Sequence, residues 1–283
     1  MTALRQAMID QMLLKGFSER TKKSYLSAVS LLAQHYHLSP DKLSHDDLQN
    51  WLLYLVKQRK LSPATCRLYF NAVRFLFEQV LHQSFSQFDL VTPKRKQRIP
   101  DLLSPSEVRS IIENAPHPKY QMMFAVCYAC GLRVSELVSL DVRHIHGEQM
   151  YLQIVQAKGF KDRHITLSPL LLHQLRAYWQ AFRPSRFLFP GREKGRPMSV
   201  TSVQKTFTRT KAQQGITKVG GIHSLRHAFA SHQLALGMPI HQLKALLGHQ
   251  DLKSTERYLH WQPTWQSDDV DLLAHTLGGR HHA

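Results

Sequence analysis

Cysteine is scarce in this chain. Its 283 residues hold three, Cys66, Cys127 and Cys130, too few for a disulfide framework. Cys127 and Cys130 form a Cys-x-x-Cys, but no second Cys/His pair stands at zinc spacing, so they read as two small core residues on an apolar helix. Long apolar runs are also missing: nothing approaches the roughly 18–20 residues of a membrane span. Residues 1–24 are amphipathic and lack a signal peptide's continuous apolar region and small-residue cleavage site. Asp10 and the early onset of core patterning argue against a mitochondrial presequence. A cytoplasmic protein without a membrane partner is expected. The third deficit is acid. Asp and Glu total 20 against 37 Lys and Arg, giving a net charge of +17 and a pI of about 10.0. That surplus attracts polyanions, nucleic acid first and anionic membrane second. There is no internal repeat and no low-complexity tract.

What is present suits two modest globular domains, with 43% hydrophobic residues over 283 positions. The fold expected is mainly α with a small antiparallel β-sheet in the second domain. Residues 1–90 read as all helix. Leu4, Met8, Met12 and Leu13 recur at helical spacing before Gly16. Ser18, Ser44 and the pair Ser62-Pro63 each open a further helix. Two of these helices carry informative charge. Arg20, Lys22 and Lys23 lie in the first turns after Ser18, where cations oppose the helix dipole unless a phosphate docks there. Arg67, Asn71 and Arg74 share one face of the fourth helix with Glu78. A solvated face is one reading; a groove-facing face of a DNA-binding helix is the other. Residues 91–103 read as a linker, in which Pro93 and Pro100 bracket Lys94, Arg95, Lys96 and Arg98. Four cations on an extended segment can track a sugar–phosphate backbone.

The second domain, 104–283, opens with Ser104-Pro-Ser-Glu107, a helix start. An apolar helix from Tyr120 to Cys130 ends at Gly131, and Arg133 follows. A cation between two buried segments needs a partner, and Glu136 or a bound phosphate could serve. Met150–Gln156 and His164–Leu167 have β character, with Lys158 on the turn between them. Helices follow from Ser168 and Ser199. His223 and Arg226 stand at i, i+3 on one helix side, His249 follows a helix-ending Gly248, and Tyr258 lies on a short helical segment. Histidine is abundant, 18 in all, and His223 and His227 stand at the i, i+4 spacing of a zinc helix. Arg226 beside them opposes a second cation, and neither metal nor other cofactor is expected.

Gly131-Leu-Arg133-Val-Ser-Glu136-Leu, Ala157-Lys158-Gly159, His223-Ser-Leu-Arg226-His227, Leu247-Gly248-His249 and Tyr258 resemble, in order and similar spacing, the catalytic motifs of the tyrosine recombinase (phage integrase) family. The resemblance covers most of the chain and implies an α-helical core-binding domain followed by a mixed α/β catalytic domain, in a simple Xer-like two-domain layout. It implies that Tyr258 attacks a DNA phosphodiester to give a 3′-phosphotyrosine and a 5′-hydroxyl. Arg133, Arg226 and His249 would hold the phosphate oxygens. Lys158 would protonate the leaving oxygen, with Lys161 as the alternative acid. His223 would serve as base or hydrogen-bond partner of the tyrosine, and Glu136 would orient Arg133. The chemistry is self-consistent, since two arginine forks suit the non-bridging oxygens and a histidine suits proton traffic near neutrality. A covalent intermediate also conserves the energy of the broken bond, so neither ATP nor metal is required. Ala157 departs from the glycine common at that place. The apolar stripe within Asp268–Leu277 would dock into a neighbouring copy, building a ring of four on two double-stranded DNA sites. Two rivals remain at this stage: a type IB-like topoisomerase, which relaxes supercoils without joining sites, and a DNA-binding protein on a catalytically retired fold.

Overall fold

The computed structural model describes residues 2–83, 101–155, 162–193, 195–249, 253–256 and 258. Contacts divide the chain into two compact units, Met1–Arg98 and Ile99–Ala283. The architecture is mainly helical with one small antiparallel sheet.

The first unit holds α1 (Ala3–Leu14), α2 (Glu19–Tyr36), α3 (His45–Lys57) and α4 (Pro63–Phe75), the last running into a π-helical turn at Leu76–Val80. Each start is set locally by a side chain that accepts from an otherwise unpaired amide: Thr2 from Arg5, Ser18 from Thr21, Ser44 from Asp47 and Ser62 from Thr65. At α3 the Asp47 carboxylate returns the bond to the Ser44 amide, completing a capping box. Met8, Met12, Leu32, Trp51, Val73 and Leu76 fill the core.

The second unit holds α5 (Pro105–Glu113), α6 (Pro118–Ala129), α7 (Val134–Val138), β1 (Ile145–His146), β2 (Tyr151–Ile154), β3 (Arg163–Thr166), α8 (Pro169–Phe182), α9 (Val200–Gln213), α10 (His223–Ala235), α11 (Ile240–Leu247) and α12 (Lys253–Glu256). The three strands run in the order β1-β2-β3, with Leu152 opposite both Ile145 and Ile165. Alternation turns Leu152, Ile154 and Ile165 into the core. By the same alternation Arg163, two residues before Ile165, faces inward too.

Gly131 makes the bend between α6 and α7. Its φ is +58°, and a Cβ there would stand 2.4 Å from Cδ1 of Phe229. The bare backbone lets α10 close onto the end of α6. Gly131→Ala should therefore destabilise the second unit by about 2–4 kcal/mol, from the left-handed backbone and the overpacked ring together. A fall in denaturant midpoint of the second unit, with α1–α4 unaffected, is the expected measurement; an unchanged midpoint would show that Phe229 yields freely.

Candidate active site

Six of the motif residues lie among the described residues of the second unit. Arg133 is the N-cap of α7. Its Nη1 donates to Oε1 of Glu136 at 2.8 Å and its Nη2 to the Gly248 carbonyl at 3.2 Å. The Glu136 carboxylate also accepts from the Arg133 amide at 2.9 Å, which fixes the first turn of α7. Glu136 is buried. Burial alone would raise its pKa, but hydrogen bonds and charge from Arg163, then from Arg133, outweigh that and hold it at about 2.

Arg226 projects from α10 and is 1% exposed. Its Nη1 donates to the Gly131 carbonyl at 2.7 Å and its Nη2 to the Leu247 carbonyl at 2.6 Å. The same Nη2 lies 3.1 Å from Nε2 of His249. Burial, then the charge of Arg133, lowers its pKa to about 10 against the pull of Glu136 and Tyr258. Arg226 is still a full cation at neutral pH. His249 leaves α11 after Gly248, whose φ of +62° ends the helix in the left-handed conformation. Its Nδ1 lies 2.8 Å from the Thr255 hydroxyl.

Tyr258 is 2% exposed and packs with Phe229, Ala230, Leu243 and Leu247. Its ring lies parallel to that of His249, with centroids 6.5 Å apart. Its hydroxyl sits 2.9 Å from Nδ1 of His227. The sequence pointed to His223 for that contact. His223 heads α10 and meets His227 edge to face, ring centroids 4.7 Å apart. One further turn of helix carries His227 over the tyrosine.

The structure thus gathers Arg133, Glu136, Arg226, His249 and Tyr258 into one connected cluster, with His223 adjoining it through His227. Lys158 lies outside the described residues, as do Lys161, the linker cations Lys94, Arg95, Lys96 and Arg98, and the segment 268–277. In the first unit Arg20, Lys23, Arg67, Asn71 and Arg74 are exposed, with Arg74 paired to Glu78 at 2.9 Å. Lys22 departs from the expectation. It is buried, and its ammonium is paired with Glu19, one turn back on α2.

Three residues of the cluster escaped the sequence reading: His227, Thr255 and Arg163. Arg163 is the least expected. Its Nη1 and Nη2 donate to the two oxygens of Glu136 at 2.9 and 2.8 Å, and its Nε donates to the Leu246 carbonyl at 2.7 Å. The signal available was its place on the same strand face as Ile165, where a cation must find a buried partner. Among the described residues no group of three or more His, Cys, Asp or Glu could hold a metal ion, and no helix is long and apolar enough to cross a membrane.

The model of the phage integrase family matches residues 101–264, and that of the phage integrase N-terminal SAM-like domain matches residues 4–87. A Sinorhizobium fredii protein named as an integrase/recombinase, y4qK, is 38% identical over 92% of this chain and 84% of its own. The tyrosine recombinase XerD of Pseudomonas putida is 30% identical over 92% of this chain and 94% of its own. In fold, the chain is similar to the Tn1549 transposon integrase solved with a circular intermediate DNA, with a TM-score of 0.72 at 17% identity, covering 91% of this chain and 95% of that one. Both family models and a 38% relative spanning nearly the whole chain leave one assignment: this protein belongs to the phage integrase family of tyrosine recombinases, in its two-domain form.

Proposed function

We propose that the protein is a site-specific DNA recombinase that cuts and rejoins strands through a 3′-phosphotyrosine at Tyr258. The observation that carries this reading is the convergence of Arg133, Arg226, His249 and Tyr258, from four separate stretches of chain, on the end of α11. Two guanidinium forks and an imidazole match the non-bridging oxygens of a phosphodiester. Glu136 accepts from one guanidinium nitrogen of Arg133 and from its amide, which orients the side chain. The tyrosine hydroxyl gives its proton to the imidazole it faces, which is His227 in this structure. Its oxygen attacks phosphorus, the P–O bond to the 5′ carbon's oxygen breaks, and Lys158 protonates that oxygen. Attack by a second 5′-hydroxyl runs the step backwards and releases the tyrosine. No bond energy leaves the DNA–protein pair, so no nucleotide cofactor enters.

Arg226 and Tyr258 are both nearly inaccessible. Binding of DNA therefore has to uncover the Tyr258 hydroxyl and turn the Arg226 fork from the Gly131 and Leu247 carbonyls toward a phosphate. The grip on duplex DNA falls to the exposed cations Arg20, Lys23, Arg67 and Arg74, with Asn71, and to Lys94, Arg95, Lys96 and Arg98. Four copies on two duplexes, joined through the stripe in Asp268–Leu277, complete the assembly.

A nicked duplex carrying the target site tests the reading, because a small fragment diffuses away after cleavage and traps the intermediate. The expected product is a protein–DNA adduct that survives boiling in detergent and releases a 3′-phosphoryl peptide containing Tyr258. Binding should weaken steeply with salt, by a log–log slope of several units. Relaxation of any supercoiled plasmid without exchange between two sites would favour a topoisomerase instead, and binding with no adduct would favour the retired fold.

A further inference from the structure

Three successive carbonyls at the C-terminus of α11 are each claimed by a different arginine. Arg163 Nε donates to Leu246 at 2.7 Å, Arg226 Nη2 to Leu247 at 2.6 Å and Arg133 Nη2 to Gly248 at 3.2 Å. The negative end of the helix dipole faces these cations, which favours the arrangement. Two of the three also share the single carboxylate of Glu136. Their roles differ, however. The side chain of Arg163 is 8% exposed. Its two outer nitrogens are bound to Glu136 and its inner one to Leu246, so the fork is directed at protein rather than at a substrate.

We infer that Arg163 is a positioning residue of the strand-cleavage centre, which clamps Glu136 as a carboxylate against Arg133 and, through the Leu246 carbonyl, sets the end of α11 from which His249 emerges. The inference rests on the recombinase reading above. One planar group spans all three acceptors because its donors are fixed in one plane at set angles. Lysine in the same place keeps the charge and can serve one acceptor well, but it cannot hold both carboxylate oxygens and a carbonyl.

The consequences separate a positioning role from a structural ion pair. With the clamp gone, Glu136 keeps Arg133 as its only hydrogen-bonded cation among the described residues, with Arg226 at longer range and the buried Cys127 thiol nearby. Arg143, Arg186 and His144 line the cleft that Glu136 also lines. Its carboxylate then takes up a proton at a higher pH than in the intact protein. Once protonated, it no longer holds Arg133 in line with Arg226.

The experiment compares wild type, R163K and R163K/E136Q on the nicked duplex in single turnover, from pH 4.5 to 8, with DNA affinity and thermal midpoint measured alongside. For R163K the expected results are affinity within about threefold of wild type and adduct formation slower by about 10–100-fold at pH 7, the cost of a misplaced oxyanion donor. Its acid limb should move to higher pH. In R163K/E136Q that displaced limb should vanish while the rate stays low, because the titrating group has gone. Rate loss matched by an equal loss of affinity or of folded protein would reduce Arg163 to a structural residue. An unmoved acid limb would overturn the clamp on Glu136. If wild type itself forms no adduct, the recombinase reading fails; if wild type forms it and R163K matches wild type throughout, only the present inference fails.

Discussion

Tyr258→Phe should abolish covalent capture of nicked DNA entirely and leave binding where it was. The substitution removes one oxygen. The ring keeps its place among Phe229, Ala230, Leu243 and Leu247, and the lost hydrogen bond to His227 costs about 1 kcal/mol. The fold and the DNA grip should both survive. Water in place of the hydroxyl would yield a free 3′-phosphate, not an adduct. Denaturing gels of wild-type and Phe protein on the same nicked duplex, with gel-shift titration as the binding control, decide it. An adduct formed by the Phe protein would place the nucleophile elsewhere.

Arg226→Lys should slow adduct formation by about 10²–10⁴-fold while DNA affinity changes by less than about tenfold, as for other oxyanion-stabilising cations. Charge is preserved, so long-range attraction to DNA is preserved. What disappears is the fork that reaches Gly131, Leu247 and His249 at once. A lysine ammonium satisfies one of these and leaves at least one buried carbonyl poorly paired, at about 1–3 kcal/mol. Some loss of thermal midpoint should accompany the change, and rates must be compared at temperatures where both proteins are folded. Parallel loss of rate and affinity would make Arg226 a grip residue and shift the catalytic burden onto Arg133.

Local chemistry was legible in the sequence, and chemistry that depends on rotation or distant pairing was not. Ser18, Ser44, Ser62, Ser104, Ser168 and Ser199 each open a helix because a cap needs only residues three positions away. Gly131 and Gly248 announced their bends for the same reason. Strand β1 is two residues long and exists only through its register with Leu152 and Tyr151, so nothing within Ile145–His146 reveals it. Arg163 went unnoticed at the end of a hairpin because its partner Glu136 lies 27 residues earlier. His223 and His227 are both in the motif, and a sequence cannot say which of two histidines one turn apart faces a tyrosine 31 residues beyond His227. Glu19 stands at i, i+3 to Lys22 and at i, i+4 to Lys23, so spacing alone could not say that Lys22 would be the one it takes.

The seclusion of Tyr258 bears on what the protein does when it is idle. The tyrosine ring is packed among Phe229, Ala230, Leu243 and Leu247 and its hydroxyl faces an imidazole, which shuts it off from solvent. With Tyr258 as the nucleophile proposed above, copies bound away from a target would leave no breaks behind them, because the hydroxyl must first be brought into the open.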